Sequence, residues 1–138
     1  MPLLTAAVDQ PWETWDDPVR GRLRWCLLDD GSDPAPHNLT TGVIDLEPGD
    51  WLGRHRHAAT ELYFVVSGTA VVWLAGEETT AQAGTHVRLP GGIEHGLRAD
   101  DGPARVLFSF PTTAFADVVY RFLEVATERP GENLVDGG

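Results

Sequence analysis

A single cysteine, Cys26, occurs in the 138 residues, so no disulfide can close within the chain. Stability must come from a packed core, and 138 residues are enough to build one in a single domain. Basic residues are also scarce. Ten of them stand against 21 acidic residues, giving a formal charge of −11 and a pI near 4.6. Such a chain repels phosphate backbones and anionic lipid surfaces, so neither nucleic acid nor a membrane is an expected partner. No apolar run approaches the roughly 20 residues needed to span a bilayer. The first twenty residues lack both a basic start and an uninterrupted apolar stretch. The expectation is a soluble, cytoplasmic protein.

What is present is a succession of short apolar runs closed by turns. From Met1 to about Arg20, Pro2, Pro11 and Pro18 lie among Trp12, Trp15 and several acids, which reads as an irregular arm anchored by aromatics. "LRWCLL" (23–28) looks like a first strand, and "DDGSDPAPHN" (29–38) like a loop. "TTGVIDL", "ELYFVV", "TAVVWL", "THVRLP" and "ARVLFSF" follow without a helical period between them, which argues for an all-β antiparallel sandwich or small barrel. Near the end Phe115, Val118, Val119, Phe122, Leu123 and Ala126 fall at i, i+3, i+4, i+7 and i+8 spacings. That spacing predicts one amphipathic helix over about 113–126, packed across the barrel. The expected organisation is an arm (1–22), a barrel (23–111), a helix (112–126) and a loose tail (127–138).

The chemistry concentrates in "GDWLGRHRHAATELYFVVSG" (49–68). Side chains alternate faces along a strand, so His55 and His57 share one face while Arg54 and Arg56 take the other. In continued register Glu61 and Tyr63 point inward as well. Two imidazoles and a carboxylate form a ligand set suited to one divalent transition metal per chain: Fe(II), Mn, Ni or Zn. An H-x-H pair by itself equally describes a polar patch on a solvated strand.

A second stretch, "GTHVRLPGGIEHG" (84–96), completes a pattern. Gly49, His55, His57, Glu61 and Gly68, then Gly84, Pro90, Gly92 and His95, have the spacing of both motifs of the cupin superfamily, which this chain resembles. The resemblance implies a single-domain, jelly-roll-like antiparallel barrel. It further implies a mononuclear metal site held by His55, His57, Glu61 and His95. Ala99 stands where an asparagine often closes the second motif. Gly49, Gly68 and Gly84 suit turns with positive φ, and Pro90, Gly91 and Gly92 suit the hairpin that delivers His95. His86 and His37 are expected at the surface.

The segments "RLRWCLLDDG", "LTTGVIDLEPGDWLGRHRHAATELYFVVSG" and "IEHGLRADDGPARVLFSFPTTAFADVVYRF" resemble the small single-cupin lyases that cleave dimethylsulfoniopropionate to acrylate and dimethyl sulfide. That resemblance covers roughly residues 22–122. It implies a small carboxylate substrate, Tyr63 as catalytic base and Tyr120 as a second pocket tyrosine. A phenol is a poor base at neutral pH unless a neighbouring positive charge favours its anion. Trp25, Trp51 and Trp73 read first as packing, although a sulfonium would favour an aromatic face. Two other readings use the same residues: an Fe(II) dioxygenase, and a non-catalytic ligand-binding cupin. The family further implies a homodimer formed through a sheet edge and the N-terminal arm.

Overall fold

The computed structural model describes residues 3–31, 37–112 and 114–123. Among these the chain is all-β. Strands run over Glu13–Asp17 (β1), Gly21–Asp29 (β2), Thr40–Leu46 (β3), Trp51–Arg56 (β4) and Glu61–Leu74 (β5). They continue with Glu77–Gln82 (β6), His86–Leu89 (β7), His95–Arg98 (β8), Ala104–Phe110 (β9) and the short Arg121–Phe122 (β10). Alternation selects their faces. Along the start of β5, Glu61, Tyr63 and Val65 are buried while Phe64 and Val66 are exposed, the period of two that a half-buried strand requires.

Pairing runs β2, β3, β9, β5, β8, β4, and β2 meets β4 again through Gly21–Leu52 and Arg22–Trp51. Six antiparallel strands thus close into a barrel, with β2 covering only the Trp51–Leu52 end of β4 and leaving the rest of that edge to another partner. Outside the closure, β1 adds to β2, β10 adds to β4, and β6 and β7 add to β5. Val65, Val72, Leu89, Val106 and Phe110 fill the interior at 0–1 % exposure.

Strand β5 shapes the site. Fourteen residues in line would span roughly 45 Å, yet Glu61 at its start meets the side chain of His95, whose backbone pairs with Leu74 at its end. The strand therefore turns sharply on itself. A register shift between Val65 and Ser67 opens the bend, and Gly68 completes it at φ +74°. A Cβ on Gly68 would lie 2.0 Å from the Pro103 carbonyl oxygen, so both backbone angle and space require glycine.

Two segments differ from the sequence expectation. The N-terminal arm is not wholly irregular: after a 3-10 turn at Ala7–Asp9, β1 forms a hairpin with β2. Asp17 Oδ1 accepts hydrogen bonds from the Val19 and Arg20 amides at 2.9 and 2.6 Å and fixes the connecting turn. The expected C-terminal helix is absent over its described part. Only a 3-10 turn at Phe115–Asp117 forms, without a side-chain cap, and β10 follows. Residues 118–122 instead alternate between half-buried or buried and exposed. The Arg121 and Phe122 pairing with Arg56 and His55 satisfies the outer edge of β4, as does the Leu123 amide donating to the Arg54 carbonyl at 2.8 Å. Backbone pairing on a free strand edge outweighs the weak propensity of an uncapped, β-branched segment. Residues 113 and 124–126 of that expected helix, the centre of the 29–38 loop and the tail at 127–138 lie outside the described residues.

Candidate metal centre

His55 ends the inward face of β4, His57 follows two residues on, Glu61 opens β5 and His95 opens β8. Their potential ligand atoms all lie within 4.8 Å of one another, and each residue is at most 4 % exposed. Arg54 and Arg56 take the opposite side of β4, where Arg54 lies 4.7 Å over the ring of Trp73.

The hydrogen bonds decide what this cluster can hold. His55 Nδ1 donates to the Gly53 carbonyl at 2.7 Å, His57 Nδ1 to the Ala59 carbonyl at 2.9 Å and His95 Nδ1 to the Ile93 carbonyl at 2.9 Å. A carbonyl oxygen only accepts, so each Nδ1 carries a proton and Nε2 is the ring atom left to face a ligand or an ion. The Nε2 atoms of His57 and His95 face the same oxygen of Glu61, at 3.0 and 3.1 Å. A buried carboxylate oxygen shared by two imidazole nitrogens is held either by their protons or by a cation that all three ligate. Spacings of 3.0–3.1 Å are those of adjacent ligands about 2.1–2.2 Å from a shared centre. The donor set therefore fits one divalent transition metal. Burial and the charges of His95 and His57 push the pKa of His55 well below its ordinary value of 6.5, which keeps this ring neutral and able to ligate.

The cluster opens into a narrow cavity with an interior volume of about 20 Å³. Tyr63 and Tyr120 both line it, as do His55 and Glu61. Tyr120 stacks on His55 with centroids 5.0 Å apart and also lies 5.3 Å from His57. Tyr63 meets His95 edge-on at 5.8 Å. Burial, then Glu61, raises both phenols well above their ordinary pKa of 10.0, so neither ionises in this pocket without a compensating positive charge.

Of the three tryptophans considered from sequence, Trp25 lines the cavity, while Trp51 and Trp73 line a separate groove with Arg54. Trp73 donates its Nε1 to Glu94 at 3.1 Å. Trp15, Phe115 and Phe108 complete the aromatic wall. Trp15 was legible in principle: Asp17, Pro18 and Gly21 mark a hairpin turn that sets "ETW" against "RLRW". His37 pairs with Asp29 at 2.8 Å and His86 is exposed on β7, both remote from the cluster by element.

Residues 42–110 match the cupin domain family. The chain belongs to the cupin family. This cupin is 32 % identical over 116 residues to the dimethylsulfoniopropionate lyase DddW of Ruegeria pomeroyi, covering 84 % of its own length and 76 % of the relative's. It is 31 % identical over 84 residues to the lyase DddQ of the same organism, covering 60 % of this cupin and 42 % of DddQ. In three dimensions it is similar to a chain from the crystal structures of the DMSP lyases RdDddP and RnDddQII. There the TM-score is 0.60 at 26 % identity, over 69 % of this cupin and 50 % of that chain. No helix among the described residues is long and apolar enough to cross a membrane.

Proposed function

We propose that this cupin is a metal-dependent lyase that converts dimethylsulfoniopropionate, or a related small carboxylate with a β-leaving group, to the unsaturated acid. The observation that carries the reading is a buried three-histidine, one-glutamate donor set of which His55 and Glu61 line one cavity together with two phenols, Tyr63 and Tyr120. The similarity to DddW and DddQ supports it.

His55, His57, Glu61 and His95 would hold the metal. A divalent ion there supplies about one net positive charge against Glu61, which draws electron density from a substrate carboxylate and favours a phenolate. Tyr63 is the base. Its oxygen takes the α-proton, the C–H pair becomes the Cα=Cβ bond, and the Cβ–S bond breaks with its pair leaving on neutral dimethyl sulfide. The reaction needs no oxidant and no nucleophile. Tyr120, stacked on His55, holds that imidazole in place and closes the pocket over the α-carbon. The aromatic walls exclude water from the carbanion-like transition state.

The reading further takes the protein to be cytoplasmic and a homodimer built through a sheet edge and the N-terminal segment, where Leu3, Leu4 and Val8 are exposed. Light scattering tests the dimer.

The deciding experiment is headspace dimethyl sulfide from purified protein loaded separately with Fe(II), Mn(II), Ni(II) or Zn(II) and given millimolar dimethylsulfoniopropionate. Gas release that depends on metal is expected. Silence from every metal-loaded form, with oxygen uptake by the Fe(II) form on addition of small carboxylates, would overturn the lyase in favour of a dioxygenase.

A further inference from the structure

Two of the donor histidines are held by the same local device. His55 Nδ1 donates to the carbonyl of Gly53 and His95 Nδ1 to that of Ile93, in each case the residue two positions before the ring. The residue in between therefore moves both the ring and the carbonyl that orients it. Those residues are Arg54 and Glu94, and their charges are opposite. The backbone ladder does not by itself fix one histidine against the other. Leu52 pairs with Leu97 and His55 with His95, so Gly53 and Arg54 together face Gly96 alone. This is a β-bulge, where ladder bonds lapse and a side chain is re-aimed. Gly96 gives the bulge its room, since a Cβ there would lie 3.0 Å from the Leu52 carbonyl oxygen and 3.4 Å from the Arg54 Cα and Cγ.

On the outer face of the barrel, side chains bridge the bulge. Arg54 Nη1 lies 4.0 Å from Glu94 Oε1. Trp73 Nε1 donates to that same oxygen at 3.1 Å, and the Arg54 guanidinium lies 4.7 Å over the Trp73 ring. The three contacts close a triangle. Trp73 belongs to β5, where it pairs with Gly96 while the next residue, Leu74, pairs with His95. The triangle thus ties β4, β5 and the start of β8 together on the side of the sheet away from the donors. The Arg54 and Glu94 side chains are 35 % and 19 % exposed, so their ion pair adds little to stability. What it fixes is position.

We propose that Arg54, Trp73 and Glu94 are positioning residues for the metal. Their triangle spans the bulge, sets where His55 Nε2 stands relative to His95 Nε2, and so tunes the affinity and coordination geometry of the ion from outside the barrel. The inference rests on the donor cluster holding a metal, as in the reading above, and not on which reaction follows. It gives the outward residues beside two donors a task, through contacts with each other and with Trp73.

The test uses Co(II) on the full chain, with affinity read by chelator competition and coordination geometry by the ion's visible absorption bands. Arg54→Ala and Glu94→Ala remove partly exposed side chains, so circular dichroism should show both variants folded. Each is expected to bind Co(II) about tenfold more weakly, the lower range for groups that orient a ligand, and to shift the bands. Because the two residues act as one unit, the double variant should also lose about tenfold and not about a hundredfold. Trp51→Leu, in the same groove but outside the triangle, should change neither reading. Wild-type affinity and bands in both single variants, with the ion lost from His57→Ala, would overturn the triangle and keep the donor cluster. An additive, hundredfold loss in the double variant would overturn the shared triangle, each residue then acting alone. Equal shifts in Trp51→Leu and Arg54→Ala would overturn the assignment to these three residues. No Co(II) uptake by the wild-type protein would overturn the metal centre and this inference with it.

Discussion

The Tyr120 ring lies stacked on His55, with centroids 5.0 Å apart and planes 29° apart. Phe122, two residues on, packs at 5.2 Å against the same imidazole. One extended segment therefore braces one side of the donor cluster. Tyr120→Phe keeps the ring and should hold metal as the wild type does. Tyr120→Ala removes the brace and should weaken metal affinity about tenfold, the lower range for residues that orient a ligand. Competition with a chelator measures it, and equal affinities for the wild type and Tyr120→Ala would show that the stack orients nothing.

That segment is also where the sequence misleads. In "TTAFADVVYRFL" the apolar residues satisfy a helical period and, from Val118 to Phe122, a strand's period of two as well. Periodicity alone does not choose; the free edge of β4 does, and an edge is a property of the assembled barrel. The barrel strands and the donor spacing were legible because each depends on local alternation. The role of Trp15 was harder to read, since it depends on a hairpin that swings the chain's beginning over a cavity formed by residues far along it. The turn at Asp17–Gly21 was nevertheless there to be read.

His57 lies beyond the last residue of β4 and contributes no pairing to the barrel. His57→Ala should leave the β-sheet circular dichroism intact while most bound metal is lost, because three donors remain where four converged. Metal content by plasma emission alongside the spectrum checks both halves. Full metal occupancy in this variant would remove His57 from the ligand set.

Tyr63 is 1 % exposed and faces the cavity beside Glu61. Tyr63→Phe deletes one oxygen and little volume, so fold and metal content should stay unchanged. Turnover should fall about 100-fold or more, the order expected for a lost general base. Substrate affinity should change far less than turnover. A variant that releases dimethyl sulfide at a near-normal rate would reassign the base.

The buried His55 ring gives the metal-free protein a pH signature. Its folded pKa is depressed by burial and by its histidine neighbours, whereas in the unfolded chain it returns to about 6.5. Below that pH the unfolded chain binds a proton that the folded one refuses, so stability is fully present above about 6.5 and falls as the pH drops, by at most about 1.4 kcal/mol per pH unit for one group. Thermal melts of metal-free protein between pH 7.5 and pH 5 should show this decline. His55→Gln, which cannot protonate, should flatten it. A wild-type melting temperature that holds steady or rises on acidification would contradict the neutral, buried ring.

Gly68 and Gly76 both sit at positive φ, +74° and +93°, but their surroundings differ. A Cβ at Gly68 would meet the Pro103 carbonyl oxygen at 2.0 Å, whereas nothing lies within 4 Å of one at Gly76. Gly76→Ala therefore carries only the left-handed backbone penalty, about 1 kcal/mol. Gly68→Ala adds a backbone collision at the bend of β5 and should lose at least about twice that. The bend also brings Glu61 to His95, so metal affinity should weaken in Gly68→Ala and hold in Gly76→Ala. Denaturant titration of both variants, followed by metal competition, separates the two effects. Equal stability losses would mean that β5 can relax around an added methyl. Unequal losses with unchanged metal affinity would mean that the donor cluster is positioned by the flanking strands alone.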